Sequence, residues 1–124
     1  MLRRRHGKNN STNLTLYRRF YMSSDTEKEY NIRLNEVRKG KLSIRRVSGS
    51  IKEIIHNEYG SIFTLKNKIP VFRSIIQLNN YQPDDQIYLS IIFIENDQEL
   101  FVFSHSKIKP STCEYIISLL PIVN

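Results

Sequence analysis

The residue types that most often carry out catalysis or hold metals are few in this chain and do not group in its sequence. The three histidines are His6, His56 and His105, and the single cysteine is Cys113. None has a second histidine or cysteine at the spacing of a metal-binding motif, so we expect no metal site. His105 stands between two serines, but adjacent side chains on a strand point to opposite faces, which argues against a base beside a nucleophile.

The remaining chemical candidates also have plainer explanations. Asp84 and Asp85 are adjacent carboxylates, but they follow a proline, which is common turn composition. The four glycines are scattered, so no glycine-rich phosphate loop is present. Cys113 falls in an apolar stripe, where a small core residue is the expected role. We therefore predict a protein that is not an enzyme and needs no cofactor; a cleft that gathered His56, His105 and a carboxylate would reopen the enzyme hypothesis.

Positive charge is concentrated in the first half of the chain. The formal net charge is +7, and residues 1 to 60 hold 14 of the 19 Lys and Arg but only 6 of the 12 Asp and Glu. Such an imbalance favours a polyanionic partner, with nucleic acid as the leading candidate. Residues 1–12 carry several arginines without apolar periodicity, so they predict a flexible basic arm ahead of a single domain over residues 13–124.

The cellular setting can also be predicted from what the sequence contains. Its apolar runs have the length of strands, so we expect no membrane partner. A lone cysteine fits a reducing compartment, and the arginine-rich start is not followed by the apolar segment of a secretion signal. These features predict an intracellular protein that is nuclear, nucleoid-associated or viral.

Apolar residues alternate with polar ones along much of the first half, which is the pattern of half-buried strands. We predict strands from Leu14 to Met22 and from Tyr30 to Asn35, then a turn through Arg38-Lys39-Gly40-Lys41 and a strand from Leu42 to Arg45. Two further strands are predicted from Ile51 to His56 and from Ser61 to Leu65.

The pattern changes in the second half. Apolar residues from Val71 to Leu78 recur at helical spacing behind a proline, so we predict an amphipathic helix over Pro70 to Asn80 that packs Phe72, Ile75 and Ile76 on the sheet. A hairpin of strands Ile87 to Ile94 and Leu100 to Ser104 should follow. A C-terminal helix should begin near Ser111, which has Glu114 in capping-box spacing.

Cations and aromatic rings share one parity in the first predicted strands, opposite to the apolar residues. Such a surface suits single-stranded nucleic acid, because rings stack on bases while Arg and Lys contact phosphates. A solvated polar face is the alternative explanation, since any antiparallel sheet can have one. The predicted binding residues are Tyr17, Arg19, Tyr21, Arg33, Arg38, Lys39, Lys41 and Arg45.

The segment from Tyr30 to Leu78 resembles the single-stranded-DNA-binding transcriptional regulators typified by positive cofactor four, the Pur proteins and Whirly. The resemblance lies in the strand before Arg38-Lys39-Gly40-Lys41, in Leu42-Ser43-Ile44-Arg45 after it, and in the later strand followed by Val71 to Ile76. It covers about two fifths of the chain and is a pattern rather than a motif. The resemblance implies a strongly curved antiparallel sheet, binding of single-stranded or melted nucleic acid, and a homodimer.

Together these predictions describe an α+β protein, with a curved antiparallel β-sheet of four to five strands and an amphipathic helix, then a β-hairpin and a C-terminal helix. The predicted function is non-catalytic binding of single-stranded DNA or RNA in transcription or replication. A second hypothesis stays open, in which a structural or assembly subunit of a virion or ribonucleoprotein uses the basic arm to dock on an acidic partner. The homodimer contact is expected at the apolar strand Ile87 to Ile94 or at the last helix.

Overall fold

A computed structural model describes residues 22–110, and within them the chain forms one helix followed by five strands. These are α1 (Ser24–Arg38), β1 (Ser43–Asn57), β2 (Gly60–Leu65), β3 (Val71–Ser74), β4 (Gln86–Phe93) and β5 (Glu99–Ser106). The described part of the chain is therefore α+β, with strands predominating. The predicted arm over residues 1–12, most of the strand from Leu14 to Met22 and the predicted C-terminal helix lie outside the described residues.

Helix α1 begins at a capped N-terminus. The Ser23 hydroxyl accepts a hydrogen bond from the Asp25 amide at 3.3 Å, and the Thr26 hydroxyl accepts one from the Ser23 amide at 2.9 Å. Acidic residues lie in its first turn and Arg38 in its last, which suits the helix dipole. The predicted strand from Tyr30 to Asn35 is wrong, because that segment lies inside this helix.

The five strands close into a barrel in the order β1-β2-β3-β5-β4, with β4 pairing back onto β1. Neighbouring strands are antiparallel except β3 and β5, which run parallel. Strand β1 is long enough to join both sides of the closure, since residues 43–50 pair with β4 and residues 51–57 pair with β2. The predicted antiparallel sheet is thus a closed barrel that also contains one parallel pair.

The predicted helix over Pro70 to Asn80 is wrong. Its first residues form β3, which is buried along its whole length. The chain then turns, and the Ile76 amide donates a hydrogen bond to the Ser74 hydroxyl at 3.1 Å. Phe72 is 0% exposed and its ring stacks on that of Phe63 with centroids 5.4 Å apart, whereas Ile76 is 62% exposed. Phe72 is therefore a core residue, but of a strand.

The other strand predictions in this region are confirmed. The segments Ile51 to His56, Ser61 to Leu65, Ile87 to Ile94 and Leu100 to Ser104 supply most of β1's second half, β2, β4 and β5. The barrel interior is filled by inward side chains of all five strands together with two residues from the β3–β4 connection. This core consists of Ile51, Phe63, Leu65, Phe72, Leu78, Tyr81, Ile87, Leu89, Ile91, Leu100 and Val102.

The core also explains why β4 is so apolar. Ile87, Leu89 and Ile91 point into the barrel and are at most 3% exposed. Their apolar character needs no partner chain, and the homodimer stays a prediction. Among residues 22–110, no helix has the length and apolar character required to cross a membrane.

The outer surface of the barrel is not equally open all round, because α1 and Met22 cover one side. Tyr30 of α1 meets the Phe101 ring of β5 edge-on, with centroids 5.5 Å apart. Arg73 of β3 is 8% exposed and pairs with Glu29 of α1 at 3.2 Å. Met22 packs against outward residues of β2 and β3 in a separate apolar cluster. The side formed by β2, β3 and β5, together with part of β4, is therefore occupied by the chain itself.

Candidate functional site

The structure does not gather the predicted binding residues on one sheet face. Arg33 lies on α1, where its guanidinium bonds the Glu36 carboxylate at 2.9 Å. Arg38 ends the helix, Lys39 caps it and Lys41 lies in the following turn, all three exposed. The remaining predicted residues are Arg45, which is exposed on β1, and Tyr17, Arg19 and Tyr21, which lie outside the described residues.

Arg33 and Arg45 do not share a sheet face, because Arg33 is not on a strand. It lies within α1, which a turn joins to β1. The exposed cations from Arg38 to Arg45 instead follow the chain out of α1, through the turn and into β1. They form a basic junction, defined here as Arg38, Lys39, Lys41 and Arg45, and not a flat sheet face.

A groove lies elsewhere, on the outer surface of β1, β4 and β5. Strand register brings its residues together: Arg46 pairs with Ser90, Ser48 pairs with Tyr88, and Ser90 also pairs with Ser104. Directly paired residues share a face of a sheet, and the intervening residues of β1 and β4 point into the core. We call this the outer groove; its volume is about 440 Å³, and its polar lining is Arg46, Ser48, Gln86, Tyr88, Ser90, Ser104, His105 and Lys109.

Small side chains around one ring create the groove. Tyr88 lies at the centre of the outer surface, with Ser48 and Ser106 paired on either side and Ser90 two residues further along its strand. Neighbouring strands are only about 4.8 Å apart, so larger residues at these positions would pack over the ring. The serines leave it half-buried, with space above it. A flat aromatic surface in a cleft is a platform on which another flat group can stack.

One wall of the groove is built where the chain leaves β5. The Ser106 hydroxyl donates to the Ile108 carbonyl at 2.6 Å and accepts from the Ile108 amide at 3.1 Å. This turn brings Lys109 and Pro110 to the groove lining. An ammonium group therefore lies on the β5 side, while the guanidinium of Arg46 lies on the β1 side.

His105 is held at the edge of the groove by a residue of the core. Its Nδ1 atom lies 3.1 Å from the Tyr81 hydroxyl, and the two rings meet edge-on with centroids 5.6 Å apart. Burial lowers the pKa of His105 below its usual value of 6.5, so the imidazole is neutral at pH 7. His105 pairs with Leu89 and so shares the face of the sheet that carries the core residues, which leaves its ring at the edge of the groove and against Tyr81.

Among residues 22–110, those that line the outer groove include two cations and no carboxylate. The nearest acidic turn, Asp84 and Asp85, is engaged with Lys66 and Lys107, the second pair at 3.8 Å. The groove therefore favours an anionic ligand. Within residues 22–110 no cluster of three or more His, Cys, Asp or Glu could hold a metal ion.

The residues that would suit acid–base chemistry are not assembled in this groove. His105 lines it, but His56 does not. Instead, the His56 Nδ1 lies 2.7 Å from the hydroxyl of Ser61, which is 0% exposed and also accepts a hydrogen bond from the Leu78 amide at 2.8 Å. That serine satisfies two buried neighbours and has no access to a substrate.

The outer groove is not among the sequence predictions, although the pattern of β4 indicates part of it. Tyr88 and Ser90 are polar residues at alternate positions of a strand that is otherwise apolar. Such alternation places both on the outer face of a barrel strand. Ser48 lies between the predicted strands that end at Arg45 and begin at Ile51, so its pairing with Tyr88 is not expected from the pattern. Arg46 points to the opposite face from the predicted binding residue Arg45, so the predicted site does not include it.

The chain shows no significant match to any protein-family model or to any curated protein.

Proposed function

We propose that this protein is a non-catalytic binder of single-stranded nucleic acid and that the outer groove is its binding site. One observation carries the proposal: the Tyr88 ring has serines on neighbouring strands and lies between two cations, in a groove that no carboxylate of residues 22–110 lines. Arg46 and Lys109 supply charge for phosphates, and Tyr88 supplies a stacking surface.

The aromatic ring and the cations are expected to bind different parts of a single strand. Its bases have exposed flat faces, and stacking one on an aromatic side chain stabilises the complex by roughly 1–3 kcal/mol. Its phosphates attract Arg and Lys and release counterions when they are contacted. Hydroxyl and amide groups at Ser48 and Gln86 can then hydrogen-bond to base edges. In a duplex the base faces are already stacked, so the groove favours an unpaired strand.

The barrel topology supports the same function. Five strands in the order β1-β2-β3-β5-β4, closed and with β3 parallel to β5, have the arrangement of the OB-fold, a barrel that often binds oligonucleotides through its second and third strands. Here α1 and Met22 occupy the outer side of β2, β3 and β5. Helix α1 also packs against part of β4, but none of its residues lines the outer groove. Because one fold serves many functions, the groove chemistry has to carry the proposal.

The test is fluorescence anisotropy with a labelled single-stranded oligonucleotide and the same-length duplex. The single strand should bind more tightly, and the affinity should fall with salt by about 0.7 log units per log unit for each phosphate contacted. Tyr88→Ala should lower the affinity by about 1–3 kcal/mol without changing the salt slope, because stacking releases no counterions. Tyr88→Phe, which keeps the ring, should retain most of the affinity.

A matched pair of lysines controls for overall charge. Lys109→Ala removes one charge from the groove, whereas Lys68→Ala removes one from the exposed β2–β3 turn. Only the first should flatten the salt slope. Equal effects of the two lysine variants, together with no effect of Tyr88→Ala, would rule out the groove as the site. Absence of binding by the unaltered protein would favour the assembly-subunit hypothesis.

A further inference from the structure

A second flat group lies at the end of the same two strands. Arg45 is the third residue of β1 and Phe93 is the last residue of β4, and the Arg45 guanidinium carbon lies 3.7 Å from the centre of the Phe93 ring. Strand pairing explains the contact, because Phe93 pairs with Ser43 and Arg45 pairs with Ile91, so the two side chains are diagonal neighbours. At this distance the guanidinium covers the ring face.

The stacked guanidinium is exposed to solvent. Arg45 is exposed and Phe93 is half-buried. Both lie on the face of the sheet that carries Ile91 and the core, at the end of the barrel, where the ring covers one side of the guanidinium and solvent reaches the residue. The ion pairs within residues 22–110 join other cations to carboxylates, and none of them involves Arg45. Guanidinium planes, like aromatic rings, are surfaces on which unpaired bases stack. The ring holds the plane in place, so less freedom is lost when a base is added.

We propose that Arg45 and Phe93 form a second stacking platform for a nucleobase, on the same strand of nucleic acid that occupies the outer groove. The inference rests on the proposed function and extends it by giving the strand a path. The strand leaves Tyr88, passes Arg46 and crosses the barrel rim at the start of β1. There it stacks on Arg45 and continues toward Lys41 in the basic junction.

The spacing of the two platforms sets the length of strand that can use both. Tyr88 and Phe93 are five residues apart on β4, which corresponds to about 17 Å along a strand. Because five is an odd number, the two rings lie on opposite faces of the sheet, and a bound strand has to pass round the rim of the barrel between them. A nucleic-acid strand with a rise of about 3.4 Å per nucleotide therefore needs at least about five nucleotides for this path, and an extended strand needs fewer. Oligonucleotides of two or three nucleotides can therefore reach only one platform.

A charge-preserving substitution separates this role from simple charge attraction. Arg45→Lys keeps the positive charge but removes the planar face, so it should reduce the affinity for an eight-nucleotide strand by about five-fold or more while leaving the salt slope unchanged. Arg45→Ala should lower the affinity at least as much and also flatten the slope. Lys52→Arg is the control, because it exchanges lysine and arginine at an exposed position further along β1. It tests whether such an exchange alters binding by itself.

The experiment measures anisotropy for a series of strands from two to twelve nucleotides, with circular dichroism to verify that each variant is folded. For the unaltered protein, affinity should rise with length until both platforms are occupied, and Arg45→Lys should remove most of that rise. Phe93→Leu, which keeps an apolar side chain but no ring, should act in the same way. If Arg45→Lys and Phe93→Leu bind every length as the unaltered protein does while Tyr88→Ala weakens binding, the second platform is refuted and the groove stands. If the unaltered protein binds no strand, both proposals are refuted.

Discussion

Comparing Phe72→Ala with Ile76→Ala tests the central difference between the predicted and the observed fold. In the barrel, Phe72 is 0% exposed and stacked on Phe63, whereas Ile76 is 62% exposed in the connection after β3. Removing a fully buried phenylalanine costs about 3–5 kcal/mol, the sum of lost burial and the cavity that remains. Removing an exposed isoleucine costs at most about 0.5 kcal/mol. A domain has a total stability of about 5–15 kcal/mol, so the first change is a large share of it and the second is hardly noticeable.

The assay is equilibrium unfolding in urea followed by far-ultraviolet circular dichroism, since the chain has no tryptophan for fluorescence. Both variants should unfold with the slope of the unaltered protein, and only Phe72→Ala should have a much lower midpoint. A helix that packed both residues on a sheet would make both substitutions costly. A loss above about 2 kcal/mol for Ile76→Ala, or below about 1 kcal/mol for Phe72→Ala, would refute the strand and turn described here.

Two further predictions concern the backbone and the dependence on pH. Gly60 has φ +143, and a Cβ atom there would lie 2.0 Å from the Ser74 carbonyl oxygen. Gly60→Ala should therefore destabilise the protein by about 2 kcal/mol or more, whereas Gly40→Ala, with open space around it, should cost about 1 kcal/mol; similar urea midpoints for the two variants would contradict this. The pKa of His105 is lowered by burial, so its folded state favours the neutral ring, and stability should fall as the pH drops below 6.5. His105→Gln should lose less stability than the unaltered protein between pH 7.5 and 5.5, and a parallel loss in both would count against the shift.

The strands that the sequence predicts well are those in which inward apolar residues recur at every second position. In β4, Ile87, Leu89 and Ile91 point into the core with this spacing, so the strand can be read from the pattern. Strand β3 lacks this alternation because both of its faces are buried, one by the core and the other by Met22 and α1. Without alternation, the run from Val71 to Ile76 has a spacing that also fits a helix.

Helix α1 is also predicted wrongly, because apolar and polar residues alternate over a short stretch of its sequence. Tyr30, Ile32 and Leu34 fit a strand, but Tyr30, Leu34 and Val37 also fit one side of a helix, and Ile32 is 58% exposed. The capping residues Ser23 and Thr26, with acids in the first turn, were the local signal that favours the helix. Barrel closure could not be predicted from the strands alone, because it depends on pairing between β1 and β4, which are far apart in sequence. For the same reason the outer groove, which needs that pairing, was not predicted.

The double role of β1 has a consequence for the order in which the chain can fold. Its second half can pair with β2 through a two-residue connection as soon as both are available, whereas its first half has to wait for β4. Closing that long loop costs entropy before any contact repays it, and topologies rich in such distant pairings fold slowly. Until β4 arrives, the first half of β1 is an unpaired strand edge, which is a site where two incomplete chains can join. Exposed arginines at positions 45 and 46 lie on this edge, and the repulsion between like charges protects the chain during that interval.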